Sequence, residues 1–507
     1  MEILNSIITF FMKRRFSQIE FFMENPHDAQ QYWLTYLVNT ADDTVFGRKH
    51  DFKSIRTAQD FKEQIPVSSY EQLHPYIERC MKGEQNVLWP SDIKMFSKSS
   101  GTTNARSKYI PVSDESLEEC HYKGGKDMMC LYVNNRPETN LFSGKGLSIG
   151  GSYTSNHMNP DPESYCGDVS ALIIKNLPFW AQIIRTPEVK IALMDKWEEK
   201  LEMMARSTMN ENVTSFHGVP TWSIFLLKRI LEISGKNNIL EVWPNLEVFV
   251  HGGVAFGPYR DLFKSLIPTG NMNYMEVYNA SEGFFGIQNE LDQDDMLLML
   301  DYGIYYEFLP LDQIDMEFPN TLSLDQVELN VPYALVISTN AGLWRYLIGD
   351  TIKFTSLNPY KIKIAGRTKH FINAFGEELM VENAEVAIAY AANKTGSVIL
   401  NFTAGPKFIE NNKRGSHEWI IEFEKAPENL DTFTEILDGK IREVNSDYDA
   451  KRAGNIALDL PLVHSVERNT FYKWMEMRGK LGGQNKVPRL ANDREYLDSL
   501  LKMINEK

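Results

Sequence analysis

Hydrophobic positions along this chain fall into three successive rhythms. Over residues 1 to about 90, Phe10, Phe11, Phe21, Phe22, Trp33, Leu34 and Leu37 recur at helix-like intervals with polar residues between them, which predicts a run of helices. From there to about 355, short apolar runs such as VLWP (87–90), LEVFVHGG (246–253), MNYMEVYNA (272–280) and YALVIST (333–339) alternate with amphipathic stretches at 190–206 and 221–234. That alternation is the signature of an α/β domain. Pro220 stands where one helix should begin and Gly235 where it should stop, because proline suits a first helical turn and glycine a C-terminal cap. After about 365 the rhythm changes to SVILNFTA (397–404), HEWIIEFE (417–424), an acidic stretch at 427–445, LPLVHSVE (460–467) and TFYKWMEMRG (470–479). This predicts a compact β-β-α-β-α unit.

A chain of 507 residues exceeds what one hydrophobic core sustains. The pattern therefore divides into a large domain over 1–368, a short hinge at 369–376 and a small domain over 377–507. No internal repeat or low-complexity linker interrupts it.

Composition narrows the function classes. With 43% hydrophobic and 24% charged residues the chain has enough apolar matter to fold, and a net charge of -15 argues against non-specific nucleic-acid binding. Cys80, Cys120, Cys130 and Cys166 form neither a C-x-x-C pair nor a framework spacing, which fits free thiols in a reducing compartment and disfavours a zinc site. The opening MEILNSIITFFMKRRF is apolar first and basic afterwards, the reverse of a secretory signal, and reads as an amphipathic helix. With no long uninterrupted apolar stretch, the expected address is the cytoplasm, with no membrane partner.

Four segments carry candidate chemistry. KSSGTTNARSKYIP (98–111) gathers Ser99, Ser100, Gly101, Thr102 and Thr103 ahead of Lys108. Small residues admit an anion to the backbone N–H groups, hydroxyls add donors, and a lysine supplies a compact positive charge, so the run suits a polyphosphate loop as well as a plain one. In NYMEVYNASEGFFG (273–286) a strand-like run ends in Tyr278, Asn279, Ala280, Ser281 and Glu282. A carboxylate there suits Mg²⁺ and a tyrosine face suits a base, the plainer readings being a helix cap and a core aromatic. AGLWRYLIGDTIKF (341–354) leads to Gly349 and Asp350 at an expected turn, where an aspartate can accept ribose hydroxyls. GGQNKVPRLAN (482–492) sets Lys486 in a glycine-flanked loop, a position for a mobile cation or a merely solvated one.

Taken in order, SSGTT with Lys108, YNASEG (278–283), RYLIGD (345–350) and QNKVPR (484–489) resemble the motifs of the GH3 acyl-acid-amido synthetases. That family is a branch of the adenylate-forming superfamily related to acyl-CoA ligases and luciferase. The resemblance runs nearly end to end. It implies a large N-terminal α/β domain, with mixed sheets flanked by helices, and a small mobile α+β C-terminal domain. It also implies ATP and Mg²⁺ as cofactors, small carboxylic acid and amino acid substrates, and an amide product formed through an acyl-adenylate. On this reading Ser99 to Thr103 hold phosphates, the residues from Tyr278 to Glu282 bind nucleotide and metal, Asp350 takes the ribose, and Lys108, Glu282 and Lys486 act in catalysis.

Two departures stand out. Ala280 replaces a serine common in relatives, and IAGRTKHFINAFGEE (364–378) resembles the hinge of the wider superfamily, which makes Arg367 a ribose contact. The carboxylic acid is expected near HGVP (217–220) and HGGVAFG (251–257), with His217, Val219, His251, Gly252 and Gly253 as candidates and a histidine as base for the amine. Two alternatives remain at this point: an acyl-CoA ligase with a thiol acceptor, or a non-catalytic nucleotide- or ligand-binding homologue. The acid, the amine and the oligomeric state are not legible in the sequence.

Overall fold

Helices build the first 81 residues, from Glu2–Glu24 and Pro26–Thr40 to Tyr70–Met81, and their apolar faces close over Ile19, Phe22, Leu34, Leu37, Phe61 and Leu73. The computed structural model describes residues 2–103, 106–254, 256–314, 316–367, 371–409, 414–453, 457–478 and 487–505. Among them, no helix is long and apolar enough to cross a membrane.

The strands are β1 (Met95–Thr103), β2 (Arg106–Val112), β3 (Lys145–Ser148), β4 (Tyr153–Ser155), β5 (Tyr165–Gly167), β6 (Arg185–Thr186), β7 (Val213–Gly218), β8 (Val248–His251), β9 (Asn273–Ala280), β10 (Gly283–Ile287), β11 (Met296–Leu298), β12 (Ile304–Pro310), β13 (Pro332–Thr339), β14 (Tyr346–Leu357), β15 (Tyr360–Arg367), β16 (Phe371–Ile372), β17 (Leu379–Met380), β18 (Val398–Lys407), β19 (Ser416–Lys425) and β20 (Leu462–Val466). Eleven of them form one mixed sheet in the order β12-β13-β14-β15-β11-β10-β9-β8-β7-β3-β6, and a second sheet runs β2-β1-β5-β4. Strands β6, β3, β7, β8 and β9 are parallel neighbours. The remaining ladders of that sheet are antiparallel.

The helix between β7 and β8 spans Pro220–Ser234 and stops at Gly235, whose φ of 66° is left-handed, as the proline and glycine predicted. Three local expectations are corrected. VLWP is not a strand: Val87, Leu88 and Trp89 are buried in irregular chain, where Leu88 O accepts a hydrogen bond from Trp344 Nε1 at 3.1 Å. The Ser/Thr/Gly run is not a free loop, since residues 99–103 continue β1. Asp350 is not on a turn but inside β14.

The chain divides into two units, one of residues 1–99, 109–253 and 262–368, the other of 100–108, 254–261 and 369–507. In the second unit β18-β19-β20 form a three-stranded sheet, and Leu430–Val444 packs Phe433, Leu437 and Ile441 into its core with Trp419 and Ile421. The β-β-α-β-α order read from the sequence is present. Missing from that reading was Val381–Thr395, an alanine-rich helix whose buried face is Ala384, Ala387, Ile388 and Ala391.

Candidate active site at the ends of the parallel strands

In an open parallel sheet, ligands bind beyond the carboxyl ends of the strands, where connections leave the ladder. Here β7 ends at Gly218, which is in register with His251 at the end of β8, and His251 is in register with Glu276 on β9. The five candidate substrate residues therefore share one sheet edge. Val219 caps the helix that follows β7, while Gly252 and Gly253 leave β8. A Cβ on Gly252 would lie 2.4 Å from Val277 O, and Gly253 has φ +81°, so both positions require glycine.

At the end of β9 the chain reverses through Ser281 and Glu282, with Ala280 opposite Gly283 on β10. Glu282 is thus a hairpin-turn carboxylate rather than a helix cap, and it is half-buried. Its charge acts on Tyr70, whose phenol is pushed up to about 12 chiefly by burial. Tyr70 Oη in turn accepts from Tyr109 N at 2.8 Å. Beside Asn279, the imidazole of His121 is pushed down to about 4 by burial, with the Asn279 side chain acting the other way. His121 is neutral in this setting and was not singled out from the sequence, where it stands alone without a motif.

A bulge in β14 accompanies the meeting of the RYLIGD and YNASEG segments. Ala334 pairs with Thr351 and Val336 with Leu347, so β14 carries two extra residues across that step, and Gly349 absorbs the distortion at φ +100°. A bulge of this kind re-aims a side chain. Asp350, 8% exposed, accepts a hydrogen bond at 2.5 Å from Tyr278 Oη, itself on a residue 6% exposed. The two strands stand four places apart in the ladder, about 19 Å in a flat sheet at ~4.8 Å per strand. The sheet must curl for the bond to form. Tyr278 meets Phe285 edge-on, with ring centroids 4.9 Å apart, so its hydroxyl and one ring edge are already engaged. Arg367 lies directly opposite Asp350 in the β14–β15 register.

The other sequence candidates are placed less completely. Ser99 and Lys108 are half-buried, and for Ser100, Gly101, Thr102 and Thr103 only the strand backbone is described. Lys486 lies outside the described residues. His217 is on β7 with Nε2 3.2 Å from Ser215 Oγ, and burial pushes it down to about 4. An imidazole held down in this way is a weak base toward an ammonium group, which counts against the base role expected for His217. Among the described residues no group of three or more His, Cys, Asp or Glu side chains could hold a metal ion. A carboxylate at Glu282 fits Mg²⁺ that arrives with a polyphosphate, since that ion is characteristically held by one or two carboxylates together with phosphate oxygens.

Models of the GH3 family match the chain in three blocks: the N-terminal domain over residues 15–272, the central domain over 297–367 and the C-terminal domain over 382–495. The chain belongs to the GH3 family. Among its relatives are the indole-3-acetic acid-amido synthetase GH3.3 of Arabidopsis thaliana, 22% identical over 95% of this chain and 92% of that one, and the 4-substituted benzoates-glutamate ligase GH3.12 of the same plant, 22% identical over 87% of this chain and 88% of that one. Of solved structures, the AtGH3.15 acyl acid amido synthetase in complex with 2,4-DB superposes with a TM-score of 0.63 at 18% identity, covering 97% of this chain and 96% of that one. The fold is that of the GH3 acyl acid amido synthetase structure. These curated relatives are an amido synthetase named for indole-3-acetic acid and a ligase named for 4-substituted benzoates and glutamate.

Proposed function

We propose that this protein is an ATP-dependent acyl acid-amido synthetase: it adenylates a small carboxylic acid and passes the acyl group to an amine, an amino acid in the first instance. The observation that carries this reading is the Tyr278–Asp350 hydrogen bond, which joins the two nucleotide motifs at the curl of the sheet beside the strand ends.

Asp350 accepts the ribose hydroxyls, with Tyr278 fixing its carboxylate and Arg367 from the next strand as a second ribose contact. Ser99, Ser100, Gly101, Thr102 and Thr103 orient the phosphates. Asn279, Ala280 and Ser281 line the nucleotide, and Glu282 holds Mg²⁺, which supplies neutralising charge at the phosphates. A carboxylate oxygen attacks the α-phosphorus and pyrophosphate leaves, a step opposed by repulsion between two anions. Lys108 and Lys486 stand as the protein's own cations against that repulsion. The neutral amine then attacks the mixed anhydride, loses its proton and expels AMP, leaving an amide. Val219, His251, Gly252, Gly253 and His217 wall the acid.

Residues 369–376 serve as the hinge and 377–507 as the mobile domain that delivers Lys486. The division of the chain at 368 supports that assignment. Four free, buried cysteines are in keeping with a cytoplasmic enzyme. The acceptor is tested by incubating the protein with ATP, Mg²⁺ and mixed carboxylic acids, together with either amino acids or CoA. Amide masses are expected with amino acids; thioester masses appearing only with CoA would move the protein to the acyl-CoA ligases.

A further inference from the structure

Arg185, on β6 at the edge of the large sheet, is 8% exposed, and its Nε and Nη2 have no hydrogen-bond partner. Among the described residues the other two buried arginines each meet a carboxylate: Arg345 Nε reaches Glu307 Oε2 at 2.9 Å and Arg452 Nε reaches Asp438 Oδ1 at 2.7 Å. Burial alone acts on Arg185, lowering its pKa. A buried guanidinium with no counter-charge is costly, and positions that break a packing rule without compensation are the ones to read as functional.

The strand register shows what surrounds it. Arg185 pairs with Gly146 on β3, and Gly146 pairs with Ser215 on β7. All three therefore share one face of the sheet, and His217, two residues beyond Ser215, shares it too. A side chain at Gly146 would meet Ser215 Oγ at 3.1 Å and His217 Nε2 at 3.5 Å before any atom of a covering element. Gly146 keeps some exposure although strands flank it on both sides, while Arg185 and Ser215 beside it are buried. The result is a polar trough floored by glycine. One wall is the Arg185 strand; the other carries the Ser215 hydroxyl and the neutral His217 imidazole. Strands two places apart are separated by about 9.6 Å, room for a planar acid group between the walls.

One guanidinium with neutral donors matches a single negative charge, and a guanidinium fork matches a carboxylate. The trough is built on β6, β3 and β7, whereas Tyr278 and Asp350 stand on β9 and β14, so it shares no strand with the nucleotide motifs. We propose that Arg185, Ser215 and His217 bind a substrate carboxylate other than the one that is activated. This rests on the amido-synthetase reading, which offers two sources: a distal carboxylate on the acyl acid, or the α-carboxylate of the amino-acid acceptor.

The test is calorimetric titration without turnover, in the presence of AMP. One series compares dicarboxylic acids from succinate to suberate with their monomethyl esters; the other compares L-amino acids with their α-amides. The free carboxylate is expected to bind roughly ten- to hundredfold tighter in one series, the range for a charge-assisted hydrogen bond. Arg185→Gln is expected to abolish that preference and Arg185→Lys to keep part of it. Preference among the diacids assigns the acid, and preference among the amino acids assigns the acceptor. Equal binding in both series, or a preference that survives in Arg185→Gln, overturns the proposal. Arg185→Leu supplies a control on folding. Without ligand its thermal midpoint should equal or exceed that of the parent, whereas a clear fall would show that Arg185 is structural. Titration needs no catalysis, so a failure of the adenylation reading is seen separately, as absent acid-dependent pyrophosphate exchange.

Discussion

Replacing Tyr278 by phenylalanine removes one oxygen and leaves the ring contact with Phe285 in place. The lost group is the donor that holds Asp350 Oδ2 at 2.5 Å. A hydrogen bond to a charged acceptor contributes about 1.5–3 kcal/mol. Water can reach the carboxylate in part once the hydroxyl is gone, so the low end applies, and KM for ATP should rise about tenfold at ~1.4 kcal/mol per decade. Steady-state pyrophosphate exchange at varied ATP and 2′-deoxy-ATP reads this directly. The parent should prefer ATP over the deoxy analogue, Asp350→Asn should lose most of that preference, and Tyr278→Phe should lose part. The double variant should fall short of the sum, because both changes remove the same interaction. If Tyr278→Phe leaves KM for both nucleotides within twofold of the parent, or if the two changes add fully, the pair is not the ribose seat.

Two further outcomes concern the scaffold. Arg15 clamps the first helix through Nε and Nη2 to both oxygens of the fully buried Asp127, at 2.7 and 2.8 Å, and Tyr302 Oη adds a third bond at 3.0 Å; Arg15→Ala should cost about 3–5 kcal/mol in urea unfolding, and Arg15→Ala with Asp127→Asn should cost less than Arg15→Ala alone. In the second unit, burial tends to raise the Glu418 carboxyl, but hydrogen bonds from His464 and Arg494 outweigh it and hold it at about 2 against an ordinary 4.5. The unfolded chain therefore takes up that proton first, so the stability this group contributes is present above pH 4.5 and lost as pH falls through about 2; Glu418→Gln should flatten the acid limb of the unfolding curve over that window.

The sequence rhythm was informative where period and punctuation agreed. Pro220 and Gly235 bounded their helix, and the C-terminal β-β-α-β-α order followed from alternating runs. It was less informative where the backbone departs from its ladder. Asp350 follows a glycine, which reads locally as a turn, but the residue is inside a strand because a bulge takes up the irregularity. Only the long-range pairing of β13 with β14 reveals that. The link between Tyr278 and Asp350 likewise depends on the curl of an eleven-stranded sheet, which no local pattern encodes. Arg185 gave no signal at all, since an arginine in IIRTPE resembles any surface cation until its neighbours are known. His217 and His251 were legible as glycine-flanked strand ends, and the protonation state of His217 was not, because it follows from burial.

The most direct test of the central claim is ATP–pyrophosphate exchange with pooled aryl, indole and aliphatic carboxylic acids, which reads adenylation before any amine is needed. Acid-dependent exchange that collapses in Asp350→Ala is the predicted result. A folded, ATP-binding protein that exchanges no pyrophosphate with any pool would contradict the account and leave a nucleotide-binding homologue without turnover.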